Sequence, residues 1–133
     1  TTLLKSFRQA EQAVLLGTRS FWEGVDIPGQ DLSVLAIAKQ PFQVPSQPIV
    51  AARAETYKES FQEYMLPEAN LSFRQGFGRL SRTKQDVGVV VILDYRLLHK
   101  TYGRLFLSSL PNCTIQTGPL DKLREAASKW LNI

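Results

Sequence analysis

The sequence predicts an α/β fold in which a mainly parallel sheet is flanked by helices. The runs LSVLAIA (Leu32 to Ala38) and VGVVVIL (Val87 to Leu93) are nearly all apolar rather than alternating. Strands covered on both faces of a parallel sheet read this way. Around them lie segments whose apolar residues recur at helical steps of three and four. Strands alternating with helices imply a layered sheet with right-handed crossovers. A chain of 133 residues suits one domain, 1–133, large enough for a real core.

In chain order, Leu3, Leu4 and Phe7 mark a first helix up to about Gln9. AVLLGT (Ala13 to Thr18) follows as a short apolar run, read as a buried strand. After LSVLAIA comes QPFQVPSQP, an extended linker with Pro41, Pro45 and Pro48 that lies inside the domain. Val50, Ala54, Tyr57, Phe61 and Tyr64 then step by four, three, four and three, an apolar helical stripe that stops before Pro67. Pro67 fits the first turn of the next helix, predicted from about Glu68 to Arg82. After VGVVVIL, a helix from about Arg96 carries Leu98, Tyr102, Leu105, Phe106 and Leu110 and ends at Pro111. CTIQT is a short candidate strand that Cys113 opens, with its thiol expected to be buried and inert. GPLDKLREAASKWL closes the chain as a helix with Pro119 at its start, Asp121 near the positive end of its dipole, and Leu120, Leu123, Ala127 and Trp130 on one face.

Composition narrows the function classes. Hydrophobic residues make up 44% and charged residues 21%, which excludes disordered and collagen-like chains. No apolar run approaches the roughly 20 residues of a membrane span, and no signal-peptide pattern opens the chain. The expectation is a soluble, cytoplasmic protein with no membrane partner. Sixteen Lys and Arg against twelve Asp and Glu give a net charge of +4, a mild excess compatible with a polyanionic partner. One Cys and one His cannot build a structural zinc site, so no metal site is expected. His99, beside Lys100, reads as a surface residue. The chain opens TTLLKSF without an initiator Met, and the expectation is a fragment of a longer protein.

SFRQGFGRLSR (Ser72 to Arg82) carries the first chemistry. At about 100° per residue, Gln75, Gly78, Arg79 and Arg82 share one helix face, and Phe73, Phe77 and Leu80 lie opposite with Ala69. Two guanidiniums aimed the same way repel unless an anion lies between them. One reading is a solvated face paired with Glu68 or Asp86. The other is a phosphate site, since the guanidinium fork makes bidentate contacts with phosphate oxygens. Spacing alone leaves both open.

GTRSFWEGVDIPG (Gly17 to Gly29) starts where a strand should end, and ligands of open α/β sheets bind at the carboxyl ends of strands. The Thr18 and Ser20 hydroxyls suit a phosphodiester backbone, and Asp26 suits a ribose hydroxyl. Phe21 and Trp22 read as core plugs or base-stacking platforms, and Gly24 and Gly29 as turns or points of close approach.

Together, FWEGVDIPG and QGFGRLSR resemble motifs V and VI of superfamily 2 helicases, most closely the DinG-like branch of the XPD group. The likeness runs from about Val14 to Pro111 through LPEANLSFRQGFGRLSRT, DVGVVVILDYR and YGRLFLSSLP. It implies a RecA-like three-layer fold, the second and carboxy-terminal motor domain of an ATP-dependent DNA helicase linked to DNA repair. Gln75, Gly78, Arg79 and Arg82 match the family's Q-x-x-G-R-x-x-R pattern. The resemblance makes Gln75 a γ-phosphate sensor and Arg79 and Arg82 arginine fingers. It places Gly24 and Asp26 beside the nucleotide, and Thr18, Arg19 and Ser20 along single-stranded DNA. Gly76, Phe77 and Ser81 depart from the usual small or branched apolar residues.

No G-x-x-x-x-G-K-[ST] phosphate loop and no DEAH-like acidic pair occurs. By resemblance these belong to the first RecA-like domain of the parent, the partner that would hold most of ATP and Mg²⁺. An iron–sulfur cluster would likewise sit elsewhere in the parent, because this chain lacks the cysteines. The isolated chain is expected to be inactive, and 5′ to 3′ polarity is carried over from the family. The rival is a non-catalytic α/β module binding nucleic acid or protein. A dinucleotide fingerprint at GFG is disfavoured, since Ser81 replaces the third glycine and the glycines lie within a helical pattern.

Overall fold

The structure is a computed structural model that describes residues 2–24, 27, 31–79 and 87–133, with residues 20, 22 and 23 described by their backbone alone. The two apolar runs form strands β1 (Val34–Ile37) and β2 (Val89–Ile92). They pair in parallel, with Val34 opposite Val89 and Ile37 opposite Ile92. A parallel pair needs a long crossover, and helices α3 (Pro48–Ala54) and α4 (Leu66–Gly78) provide it. Among the described residues the sheet has these two strands, so cover is uneven: Ile37 is buried and Val34 is 42% exposed.

The core forms where α4 crosses the sheet. Leu66, Ala69 and Phe73 of α4 pack with Ile37, Leu97 and Phe106. Phe73 and Phe106 are both fully buried and meet edge to face at 5.4 Å. Burying each ring is worth roughly 2–3 kcal/mol and the ring pair about 1 more. The linker adds Phe42, which stacks on Phe61 at 5.8 Å and meets Phe106 edge-on at 5.9 Å. What reads as an extended linker is therefore pinned to the core by one aromatic side chain.

Four expected elements are shorter or broken. The first helix, α1, spans Thr2–Gln9 as predicted, but Ala13 to Thr18 form no strand, and Val14 and Leu16 are 87% and 86% exposed. A strand exists only where a neighbour pairs its backbone, and among the described residues none pairs with this run. The stripe from Val50 to Tyr64 is divided. α3 stops at Ala54, where the Thr56 hydroxyl donates to the Arg53 carbonyl at 2.7 Å and competes with the helical bond. A π-helical turn, Phe61–Met65, restarts the helix after Glu63 reaches back to accept the Glu59 N–H.

The helix predicted from Arg96 to Leu110 is likewise two helices, α5 (Arg96–His99) and α6 (Gly103–Ser108). Lys100 is extended between them, and Leu97, Gly103 and Phe106 are buried while Leu98 is 56% exposed. A Cβ on Gly103 would collide with the Leu97 carbonyl, so the break depends on glycine.

CTIQT is irregular and exposed, and the Cys113 thiol is exposed rather than buried. With no strand forming there, nothing covers it. The chain ends in a 3₁₀ turn, Leu120–Lys122, and α7 (Leu123–Leu131), which touches β2 but leaves Leu120 and Trp130 at 70% and 50% exposure. His99 is a surface residue as expected, against the Tyr95 ring. No helix among the described residues is long and apolar enough to cross a membrane.

Candidate functional site

α4 presents the site. Its buried face holds Ala69, Phe73 and Gly76, which leaves Gln75 and Gly78 outward, as the spacing predicts. The helix ends at Gly78 rather than Arg82. Arg79 caps it in a helical conformation, its N–H bonded to the Gly76 carbonyl at 3.1 Å, so its side chain continues the face. Leu80, Arg82 and Asp86 lie outside the described residues.

The second wall is α2 (Arg19–Gly24), which packs against α4. It starts with the Phe21 N–H bonded to the Thr18 carbonyl at 3.0 Å. Phe21 lies across Gly17, where a Cβ would stand 2.9 Å from the ring. That half-buried packing favours the core-plug reading of Phe21. Buried Ile27 anchors the chain beyond α2. Asp26 and Gly29 lie outside the described residues, as do the side chains of Ser20 and Trp22.

Between the two helices opens a cleft of about 660 Å³, within the range of small-molecule sites. Arg19, Glu68, Ser72, Gln75, Gly78 and Arg79 line it, with Gln43 of the linker at its rim. The structure thus brings Gln75, Gly78 and Arg79 together and adds Arg19 to them. Thr18 is not among the lining residues. Glu68, read from the sequence as an arginine partner, lines the cleft, and Ser72, which sequence reasoning missed, was findable: Glu68, Ser72, Gln75 and Arg79 step by four, three and four along α4. Gln43 was not, since only the tertiary fold brings the linker there.

Gly24 and Gly78 differ from Gly17 and Gly103, where a Cβ would be crowded. Neither has positive φ, and a Cβ on either would meet nothing within 4 Å. The folded chain itself therefore does not require glycine at these positions, and both leave backbone open to a ligand. An open backbone beside two guanidiniums suits a phosphate chain. Among the described residues no group of three His, Cys, Asp or Glu could hold a metal ion.

Beside the strand ends lies a polar clamp that the sequence did not announce. Asp94, just past β2, accepts the backbone N–H of Gln40 at 2.8 Å, which ties the two strands' carboxyl ends together. Arg96 grips the same carboxylate through Nε at 2.9 Å and Nη2 at 2.6 Å, and its guanidinium lies 5.5 Å from the Phe42 ring centre. The Arg96 hydrogen bond holds the Asp94 carboxyl at about 2, against burial and with help from the backbone N–H groups of Gln40 and Arg96. Asp94 in turn raises Arg96. Both charges are consumed internally, so the clamp positions the strand ends and leaves the chemistry to the cleft.

Comparison with known proteins identifies the family. Residues 1–113 match the family described as helicase C-terminal domain. The chain is 48% identical over 117 residues to the 3′-5′ exonuclease DinG of Bacillus subtilis, covering 85% of this chain and 13% of that protein. It is 46% identical over 113 residues to the ATP-dependent DNA helicase YoaA of Escherichia coli, covering 82% and 18%. It is 43% identical over 109 residues to the ATP-dependent DNA helicase DinG of Photobacterium profundum, covering 78% and 16%. The chain therefore spans less than a fifth of the length of these relatives. With both motif-bearing helices inside the matched region, the chain belongs to the helicase C-terminal domain family.

Proposed function

We propose that this chain is the carboxy-terminal RecA-like motor domain of an ATP-dependent DNA helicase of the DinG-like branch, acting within a longer parent. Its two-stranded parallel sheet would be part of a three-layer RecA-like core. The observation that carries the reading is the shared cleft, where Gln75, Gly78 and Arg79 of one motif meet the helix of the other. The relatives' names support an ATP-driven reaction on DNA.

Mg²⁺–ATP, held chiefly by the first RecA-like domain, supplies the phosphoryl group. Gln75 contacts the γ-phosphate, and the open backbone at Gly78 and Gly24 allows close approach. Arg79 and Arg82 stabilise charge on the transferring group, and Asp26 couples the ribose or γ-phosphate to the domain interface. An arginine finger is worth about 10³–10⁵ in rate, roughly 4–7 kcal/mol. Thr18 and Ser20 follow the backbone of single-stranded DNA. A grip that differs between nucleotide-closed and open states moves the protein 5′ to 3′ along that strand.

ATP hydrolysis by the full-length parent, with and without single-stranded DNA, tests this reading. DNA-stimulated turnover that Arg79→Ala reduces about 10³-fold or more is expected. Turnover indifferent to both would make the domain an α/β binding module. The isolated chain should hydrolyse no ATP, because arginine fingers act only on a cradled phosphate; turnover that purifies with it and disappears in Arg82→Ala would overturn that expectation.

A further inference from the structure

Motif resemblance sends Arg19 to the DNA strand, but its place in the fold is different. Arg19 opens α2, and its side chain lines the same cleft as Gln75, Gly78 and Arg79. We infer that Arg19 is a nucleotide-contacting residue, a second guanidinium directed with Arg79 at the polyphosphate rather than at the DNA backbone. The inference rests on the helicase reading above and assigns one more residue to its ATP site.

Three observations support it. The Arg19 side chain is exposed and makes no hydrogen bond or ion pair with any described residue, so none of them accounts for its position. Among the described residues the cleft lining holds two arginines and a single carboxylate, Glu68. Arg19 thus adds a second guanidinium to that of Arg79 on one cleft, and a guanidinium fork suits phosphate oxygens. Third, sites that track single strands pair cations with aromatic platforms on which bases stack, and none of the described residues lining this cleft is aromatic. A hollow of about 660 Å³ has room for one compact ligand.

The test is equilibrium binding of ATP and, separately, of single-stranded DNA to the full-length parent carrying Arg19→Ala or Arg19→Lys. The expected result is ATP binding weakened about tenfold in Arg19→Ala, as for loss of one charge-assisted bond, and partly restored in Arg19→Lys. DNA affinity and its salt dependence should stay as in the unaltered parent. ATP binding unchanged, with DNA affinity reduced and its salt slope lowered by about 0.7, would return Arg19 to the strand and overturn the inference while leaving the helicase reading intact. An unaltered parent that binds no ATP would overturn both. Because Arg19 is exposed and has no partner among the described residues, thermal unfolding of the variants should match the parent and exclude misfolding as the cause.

Discussion

Asp94 and Arg96 form the tightest ion pair among the described residues, Nη2 to Oδ2 at 2.6 Å, with the Asp94 side chain only 4% exposed. The same carboxylate holds the Gln40 N–H, so this pair governs how the carboxyl ends of β1 and β2 sit beside the cleft.

That relationship gives a pH dependence with a definite sign. The folded carboxyl sits at about 2, below its ordinary 3.8. Its stabilisation is therefore complete above the unfolded value and is lost as pH falls from about 4 towards 2. Asp94→Asn should lower unfolding free energy by about 2 kcal/mol at neutral pH, with the gap closing across that acid window. Urea unfolding of both proteins at several pH values checks this, and a gap that persists undiminished at the acid end would contradict it.

The glycines separate structure from function. Gly103→Ala drives a methyl into the Leu97 backbone and should cost about 2–3 kcal/mol, comparable to other overpacked sites. Gly78→Ala meets open space inside α4, where alanine is a better helix former, and should raise stability by roughly 0.5–1 kcal/mol. In the parent the same change should weaken ATP binding by blocking close approach. Thermal melts beside nucleotide titrations resolve the two effects; a Gly78→Ala protein that is destabilised would return that glycine to a structural role.

Gln40 is 4% exposed, yet neither its side-chain oxygen nor its nitrogen has a hydrogen-bond partner among the described residues. An unsatisfied buried amide costs about 1–3 kcal/mol, whereas an apolar group of similar size carries no such penalty. Gln40→Leu should therefore stabilise the protein by about 1 kcal/mol and leave the backbone bond to Asp94 in place. Calorimetric unfolding is the measurement, and a loss of stability would mean that the amide is satisfied in solution.

Much of the site was legible because helical spacing is a local property. Gln75, Gly78 and Arg79 emerge on one face because Ala69 and Phe73 bury the other. That α2 would place Arg19 in the same cleft was not legible, since no local pattern records which helix packs against which. The long helix read from Arg96 failed for a related reason. Leu98 and Leu105 kept the helical period, but the close contact of Gly103 with Leu97 broke the helix and turned a different set of residues inward.

By itself, then, the sequence determined the parallel pair of apolar strands, the amphipathic face of α4 and the family that the two motifs mark. Each follows from periodicity or from chemistry within a few residues. Only the tertiary structure decided where helices break, that Phe42 pins the linker, that Asp94 joins two strand ends, and that AVLLGT stays unpaired among the described residues. Those outcomes depend on contacts between distant segments, whose free energies outweigh local preference by a few kcal/mol once the core is packed.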